Sequence, residues 1–113
     1  MDTLDKTYLK QAILTVLQDY LEFLGDDPEC TTQIVIDESK SSYLLLEMGW
    51  HDNQRIYGTL IHLDIIDKKI WIQQDGTEQG IANELVQLGV PAKQIVLAYK
   101  SLDRRKITDF AIC

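Results

Sequence analysis

His62 and Asp64 come nearest, by residue type and spacing, to a metal or acid–base site. Residues two apart in a β-strand point to the same face, so the imidazole and the carboxylate would lie side by side. A catalytic zinc needs three protein ligands, and His51 could supply the third only if the fold brought its turn to that face. The alternative is structural, with His62 hydrogen-bonded on a half-buried sheet beside Asp64. We favour the structural alternative and predict neither a metal nor a cofactor.

The loop at residues 75–80 resembles a phosphate-binding turn, because small residues before a helix can expose backbone N–H groups to an anion. It lacks the GxxxxGK[ST] pattern, however, and its Asp75 and Glu78 would repel a phosphate. Asp75 and Glu78 have the three-residue spacing of a capping box, and Thr77 is a competing N-cap. We therefore predict a helix cap and keep both carboxylates only as part of a weak polar site.

No arrangement of nucleophile and base is evident in the chain. It contains neither G-x-S-x-G nor H-E-x-x-H, and neither cysteine lies beside an activating histidine. Sequence alone cannot place two carboxylates at the separation that acid–base chemistry requires. We predict no catalytic residues and a protein that is not an enzyme. The alternative is a metal- or ligand-dependent hydrolase that uses His62 and Asp64.

The charge balance argues against direct binding to nucleic acid. The chain has 11 Lys and Arg against 18 Asp and Glu, a formal net charge of −7, whereas DNA-binding proteins neutralise phosphates with clustered basic side chains. The main basic cluster is Arg104, Arg105 and Lys106. We interpret it as a solvated face or a site for an acidic protein partner, and a DNA-binding accessory role remains the alternative.

Composition also bears on location. The N-terminus is polar and lacks the apolar core of a secretory signal, and no apolar run reaches the length of a membrane span. Cys30 and Cys113 are far apart and have no zinc-type spacing. We therefore expect a cytoplasmic protein with two free thiols and no membrane association.

Three aromatic residues fall on neighbouring predicted strands: Trp50, Tyr57 and Trp71. Most such residues pack in a core or across strands, but Trp, Tyr and Arg also dominate binding hot spots. We expect Trp50 to pack, and we leave Trp71 open because Ile70 and Ile72 point the opposite way. The candidate partner-binding residues are Trp71, Tyr57, Arg104, Arg105 and Lys106.

The elements that must position these residues can be predicted from periodicity. Apolar residues recur every three or four positions over residues 5–24, which predicts an amphipathic helix that ends at Gly25. Four β-rich segments follow at residues 32–37, 43–50, 55–67 and 69–74. The links between them are too short for helical crossovers, so they predict an antiparallel meander. The third segment is apolar on both faces, which is typical of a central strand.

A second helix is predicted to follow an N-cap at Asp75 or Thr77 and to end at Gly89, with Pro91 beyond it. A turn of helix at 91–94, a short strand at 95–99 and a docked tail ending in Phe110, Ala111 and Ile112 complete the chain. The length fits one domain, residues 1–113. We predict an α+β fold: a long N-terminal helix packed on a mostly antiparallel meander, then a second helix, a short strand and a docked C-terminal segment. The uncovered sheet face should be closed by that segment or by another subunit, which favours a homodimer or a heteromeric complex.

The run from residue 70 to 82, WIQQDGTEQGIA with its preceding isoleucine, resembles the central signature of the XisI family. The resemblance extends upstream through Gly49-Trp50 and residues 55–58 and 62–65, and downstream through 89–97, Arg105 and Phe110-Ala111. It covers essentially the whole chain. One departure is Lys68, where a two-residue turn would prefer glycine because its φ is positive. Lys68 therefore predicts a strained or differently shaped turn.

The resemblance implies a non-catalytic role. Members of the XisI family are described as controlling factors for excision of a DNA element, the fdxN element, in nitrogen-fixing cyanobacteria. They are usually paired with a companion factor, XisH, while a separate recombinase exchanges the strands. The resemblance thus implies a regulatory protein that binds an XisH-type companion, and no catalytic residue set is carried over.

Overall fold

The computed structural model describes residues 3–113. Helix α1, Lys6–Leu24, begins where the Asp5 carboxylate accepts a hydrogen bond from the Tyr8 backbone N–H at 3.0 Å. It ends at Gly25, whose φ of +68° suits glycine. The predicted apolar stripe is buried at Leu9, Ile13, Val16 and Leu17, together with Ala12. Its last turn is not: Tyr20 and Leu21 are half-buried and Leu24 is exposed.

Five strands form one sheet in the order β1-β2-β3-β4-β5. Their bounds are β1 Cys30–Asp37, β2 Ser42–His51, β3 Gln54–Ile66, β4 Lys69–Asp75 and β5 Ile95–Val96. The first four pair antiparallel in chain order, as the short links predict, and β5 joins β4 in parallel. The parallel pair follows from the long connection between β4 and β5, which contains a helix. The predicted α+β class is confirmed.

The β3–β4 turn explains how Lys68 is accommodated. Asp67 and Lys68 both have positive φ, +50° and +60°, the conformation of the tight turns that match the strand twist. The Gln94 side-chain amide donates to the Lys68 carbonyl at 2.8 Å. The same buried amide group bonds the N–H and the C=O of Leu4, so one glutamine joins this turn to the N-terminal segment.

The chain after β4 forms helix α2, Ile81–Gln87, a 3-10 turn Ala92–Gln94, strand β5 and a one-turn helix α3, Leu102–Arg105. The predicted strand at 95–99 is shorter than expected. The Ala98 N–H turns back to the Val96 carbonyl, and the Tyr99 N–H reaches the Ile72 carbonyl instead of continuing a ladder. Helix α3 was not predicted. The tail docks as expected, because Ala111 pairs with Val96 and its N–H bonds the Ile95 carbonyl.

The main core cluster lies on one face of the sheet, whereas the buried Val96, opposite Trp71, lies on the other face beside Ala111. Helices α1 and α2 pack on the first face against alternate strand residues, and the fully buried set includes Leu9, Ile13, Leu17, Tyr43, Leu45, Ile61, Leu63, Ile70, Ile72, Ile81, Leu85 and Ile95. Alternation then sends the intervening residues of every strand to the second face. What covers that second face decides where the protein can bind other molecules.

Candidate functional site

The second face of the sheet can be read from the strand register. Residues that lie directly opposite in an antiparallel pair point the same way, and Asp64 lies opposite both Ser42 and Trp71, while Leu44 lies opposite His62. None of them is on the face that holds the buried core. We call this surface the open face. It carries Val35, Leu44, Leu46, Met48, Trp50, Arg55, Tyr57, His62, Asp64, Trp71 and Gln73.

The distal half of the β2–β3 hairpin extends beyond the helical layer. No residue from 46 to 60 is buried, and the molecule is elongated, 50 × 30 × 26 Å. Trp50 is 55% exposed and Tyr57 is 71% exposed. Trp50 lies on the open face, away from the helices, so it packs across the strands against Arg55 and not in the core.

An arginine organises these two aromatic rings. The Arg55 guanidinium carbon lies 5.5 Å from the centre of the Trp50 ring and 5.9 Å from that of the Tyr57 ring. Both distances are within cation–π range, and the three side chains lie on the open face because Arg55 is opposite Trp50 and Tyr57 is opposite Met48. We call Trp50, Arg55 and Tyr57 the hairpin cluster. Tyr57 is among the candidates predicted from the sequence, whereas Arg55 is not, because its only signal is its position between two aromatic residues.

The other end of the open face is covered by the chain itself. Arg105 lies over Trp71, with its guanidinium carbon 5.8 Å from the ring centre. Its Nε donates to the carbonyls of Lys100 and Leu97 at 2.9 and 3.3 Å, and its Nη atoms donate to those of Ala98 and Ile112 at 3.2 and 3.3 Å. Arg105 thus holds the C-terminal segment in place over Trp71.

The three residues of the basic cluster therefore differ in exposure and in hydrogen bonding. Arg104 and Lys106 are exposed, and neither side chain makes a hydrogen bond within residues 3–113, whereas Arg105 is half-buried and bonded to its own chain. Of the three basic residues named from the sequence, two are thus exposed to solvent and one is held within the chain. Trp71 is half-buried beneath Arg105, so the hairpin cluster is the more accessible aromatic surface.

His62 and Asp64 share a face, as predicted, and contact each other. The His62 Nε2 lies 2.9 Å from an Asp64 carboxylate oxygen, and the Gln73 side-chain amide donates to the other oxygen at 3.2 Å. His51 lies far away at the hairpin turn, beside Asp52 at 3.4 Å. Within residues 3–113 no three His, Cys, Asp or Glu side chains converge as metal ligands. His62, Asp64 and Gln73 thus form one hydrogen-bonded group on the open face.

The loop before α2 differs from the predicted capping box. The N-cap is Gly80, and Asp75 instead accepts from the Thr77 N–H and hydroxyl, at 2.9 and 2.6 Å, and from the Ile81 N–H at 2.9 Å. Glu78 is exposed and does not cap the helix. Thr77 is not the N-cap either, although its hydroxyl accepts from the Gly80 N–H. Because the Asp75 carboxylate already occupies the start of α2, the loop is no anion site.

A groove between α1 and α2 was not anticipated. It has a volume of about 650 Å³, and its lining includes Asp19, Tyr20, Phe23, Glu84 and Val86. Burial, followed by the nearby carboxylates of Asp19 and Asp75, raises the pKa of Glu84 above its ordinary range. No local pattern could reveal this groove, since it depends on how two separate helices are placed.

No helix among the described residues is long and apolar enough to span a membrane.

Comparison with known proteins identifies the family to which the chain belongs. The architecture defines a class of small α+β proteins in which helices cover one face of a five-stranded sheet and leave part of the other open. The family model described as XisI protein matches residues 1–112. The chain therefore belongs to the XisI family, as the resemblance of its central run predicted.

Two solved structures are similar over nearly their whole lengths. A XisI-like protein from Anabaena variabilis ATCC 29413 is 34% identical, with 94% of this chain and 99% of that chain covered and a TM-score of 0.82. The fdxN element excision controlling factor XisI from the same organism is 30% identical, with 95% and 97% covered and a TM-score of 0.82. The comparison with curated proteins found no match.

Proposed function

We propose that this protein is a non-catalytic accessory factor that acts in the cytoplasm by binding a companion protein of the XisH type, in the control of DNA-element excision. The observation that carries the proposal is the hairpin cluster. Trp50, Arg55 and Tyr57 stand exposed on a sheet face without a covering layer. These are the residue types that dominate binding hot spots. The 30% identical relative is described as an excision controlling factor, which supports the regulatory setting.

The chemistry of the face indicates how a partner would be held. An apolar stripe of Leu44, Leu46 and Met48 leads along β2 to the hairpin cluster, so the partner would bury an apolar strip and place a carboxylate against Arg55. Because the Arg55 guanidinium already lies against two aromatic rings, it would lose little side-chain entropy on forming a bidentate pair with a carboxylate of the partner. Arg104 and Lys106 would add electrostatic steering from the other end of the molecule. Direct DNA contact is disfavoured by the net charge of −7.

The test is binding of the co-expressed XisH-type companion by variants with one aromatic ring removed. Tyr57→Ala should weaken binding by about 30-fold, which corresponds to the ~2 kcal/mol typical of a hot-spot residue. The matched control is Phe23→Ala, because Phe23 is 72% exposed, nearly the same as Tyr57, but lies on α1 at the other side of the sheet. Equal binding by both variants, or no association of the wild-type chain, would refute the proposal.

The hydrolase alternative is tested separately. The mutual hydrogen bonds of His62, Asp64 and Gln73 account for these side chains without a metal. We therefore expect protein purified without a histidine tag to contain no stoichiometric metal, and His62→Ala to have the same metal content as the wild type. Bound metal that is lost in His62→Ala would favour the enzyme instead.

A further inference from the structure

Strand β1 has an outer edge with no partner strand among residues 3–113. The Trp50 N–H donates to the Glu29 carbonyl at 3.0 Å, which identifies these two residues as a hydrogen-bonded pair of the β1–β2 ladder. Such pairs recur at every second residue, so the backbone groups of Thr31, Gln33 and Val35 face β2. The N–H and C=O groups of Thr32, Ile34 and Ile36 consequently point outward from the sheet.

The other edges of the sheet are protected. On β5, Ala111 pairs with Val96 and covers the edge. β4 is shorter than β3, so residues 54–60 of β3 have no strand beside them on that side. This part of β3 contains the charged Arg55 and the weak strand former Gly58, and it ends at an irregularity in the register with β2. Charges, glycines and bulges are the devices by which proteins prevent unwanted edge pairing.

β1 has none of these devices over its first seven residues. From Cys30 to Ile36 the strand contains no charge, proline or glycine. Beside the edge runs a groove of about 540 Å³ between α1 and β1, whose lining includes Leu14, Ile34 and Ile36. A long, uncharged edge of this kind is expected to pair with another strand.

We propose that β1 pairs antiparallel with β1 of a second copy of this chain, about a two-fold axis that passes through Ile34. A second copy can approach here despite its net charge of −7, because the edge from Cys30 to Ile36 carries no charge that would be repelled at the contact. It also presents the same set of outward backbone groups, which an antiparallel two-fold pairing satisfies reciprocally. This inference concerns a different surface from the hairpin cluster and does not rest on the proposed function.

The position of the axis follows from charge and hydrogen bonding. An axis through Ile34 places Ile36 opposite Thr32 and Val35 opposite Gln33 of the second copy. An axis through Gln33 would instead bring Asp37 opposite Glu29, and like charges directly opposite are destabilising. With Ile34 on the axis, Asp37 lies opposite Thr31 and Glu38 opposite Cys30 of the second copy, so no two carboxylates are directly opposed.

The packing consequence is a continuous ten-stranded sheet. A two-fold axis perpendicular to the sheet keeps both copies of α1 on the same face, so each groove beside Leu14 and Ile36 is closed by the neighbouring copy. Ile36 is 43% exposed in the single chain, and this pairing would bury it. Both hairpin clusters remain accessible at the far ends of β2 and β3.

The first experiment is the mass in solution of the full chain, measured by light scattering during gel filtration. The wild type should be a dimer, and Ile36→Lys should be a monomer because it places a charge on the paired edge. Ile66→Lys is the matched control, since Ile66 is 42% exposed but lies at the end of β3, and it should remain a dimer. A monomeric wild type, or a dimer that Ile36→Lys does not affect, would overturn the proposal.

A cross-linking experiment tests the register without a disruptive substitution. In a background of Cys30→Ser and Cys113→Ser, the variants Gln33→Cys and Val35→Cys are prepared separately and then mixed under conditions that allow subunit exchange. Gln33 and Val35 of two copies form a non-hydrogen-bonded pair with Cα atoms about 4.5 Å apart, close enough for a disulfide. A disulfide should form between the two variants in the mixture. Self-linking of Gln33→Cys alone would overturn the axis, and no cross-link in any sample would overturn the edge pairing.

Discussion

Arg105 should contribute to stability far more than its basic neighbours, because it fastens the C-terminal segment to the sheet. Three of its hydrogen bonds, to the carbonyls of Leu97, Ala98 and Lys100, are partly buried. The fourth, to the Ile112 carbonyl, is exposed. A hydrogen bond contributes about 1 kcal/mol net. Arg105→Ala should therefore lower the free energy of unfolding by about 3 kcal/mol.

This loss is measurable by urea denaturation followed by tryptophan fluorescence, because Arg105 lies over Trp71. In thermal unfolding it corresponds to a fall in Tm of roughly 12 °C for a domain of this size. Arg105→Lys should recover only about a third of the loss, since an ammonium group cannot donate to three separated carbonyls as the planar guanidinium does.

The matched control is Arg104→Ala, which removes an exposed basic side chain from the same turn. Its unfolding free energy should stay within about 0.5 kcal/mol of the wild type. If Arg105→Ala is equally silent, the hydrogen bonds described above do not stabilise the fold. If Arg105→Ala is stable but no longer binds the companion, Arg105 is a partner contact, as the sequence had indicated.

Three further substitutions test the packing and the electrostatics. Gly49→Ala should destabilise the fold by about 2 kcal/mol in chemical denaturation, because the added Cβ would clash with the Glu29 carbonyl oxygen. Gly58→Ala is the control: an added Cβ there meets no atom within 4 Å, so stability should change by less than about 1 kcal/mol. Equal losses of stability in the two variants would contradict this prediction. Gln94→Leu should lower the free energy of unfolding by about 3 kcal/mol, since it leaves backbone groups of the N-terminal segment and of the β3–β4 turn without hydrogen-bond partners. An unchanged urea midpoint would show that the Gln94 hydrogen bonds do not stabilise the fold. The pKa of Glu84 is raised by burial and by neighbouring carboxylates above the ordinary 4.5, so the native state loses stability as the pH rises through the interval between the two values. Glu84→Gln should therefore raise the unfolding free energy at neutral pH but not below pH 4.5, and a gain that is independent of pH would show that the effect is not electrostatic.

The local elements were predictable because each depends on neighbours in sequence. The stripe of α1 repeats with the helical period, and Gly25 supplies the positive φ at its end. The short links between β1 and β4 allow only hairpins, which determines the antiparallel order. The joint position of His62 and Asp64 on one face likewise follows from the two-residue period of a strand.

The caps and the C-terminal segment were less predictable, because their partners come from elsewhere in the chain. Asp75 reaches the N–H of Ile81, six residues on, through a loop that brings the two together. Arg105 is bonded to carbonyls on both sides of α3 and stacks on a tryptophan of β4. The sequence indicated a basic cluster, but it could not distinguish Arg105, which is bound within the protein, from Arg104 and Lys106, which face solvent.

Sequence by itself thus determined the fold class, the strand order of the meander and, through the run at 70–82, membership of the XisI family. These properties follow from periodicity, link length and a long local motif. Only the tertiary structure decided which surface is left for binding, because exposure depends on where one layer ends over another. Trp50 is exposed because the C-terminal segment does not cover the hairpin end of the open face, whereas Trp71 is shielded because Arg105 folds back over it.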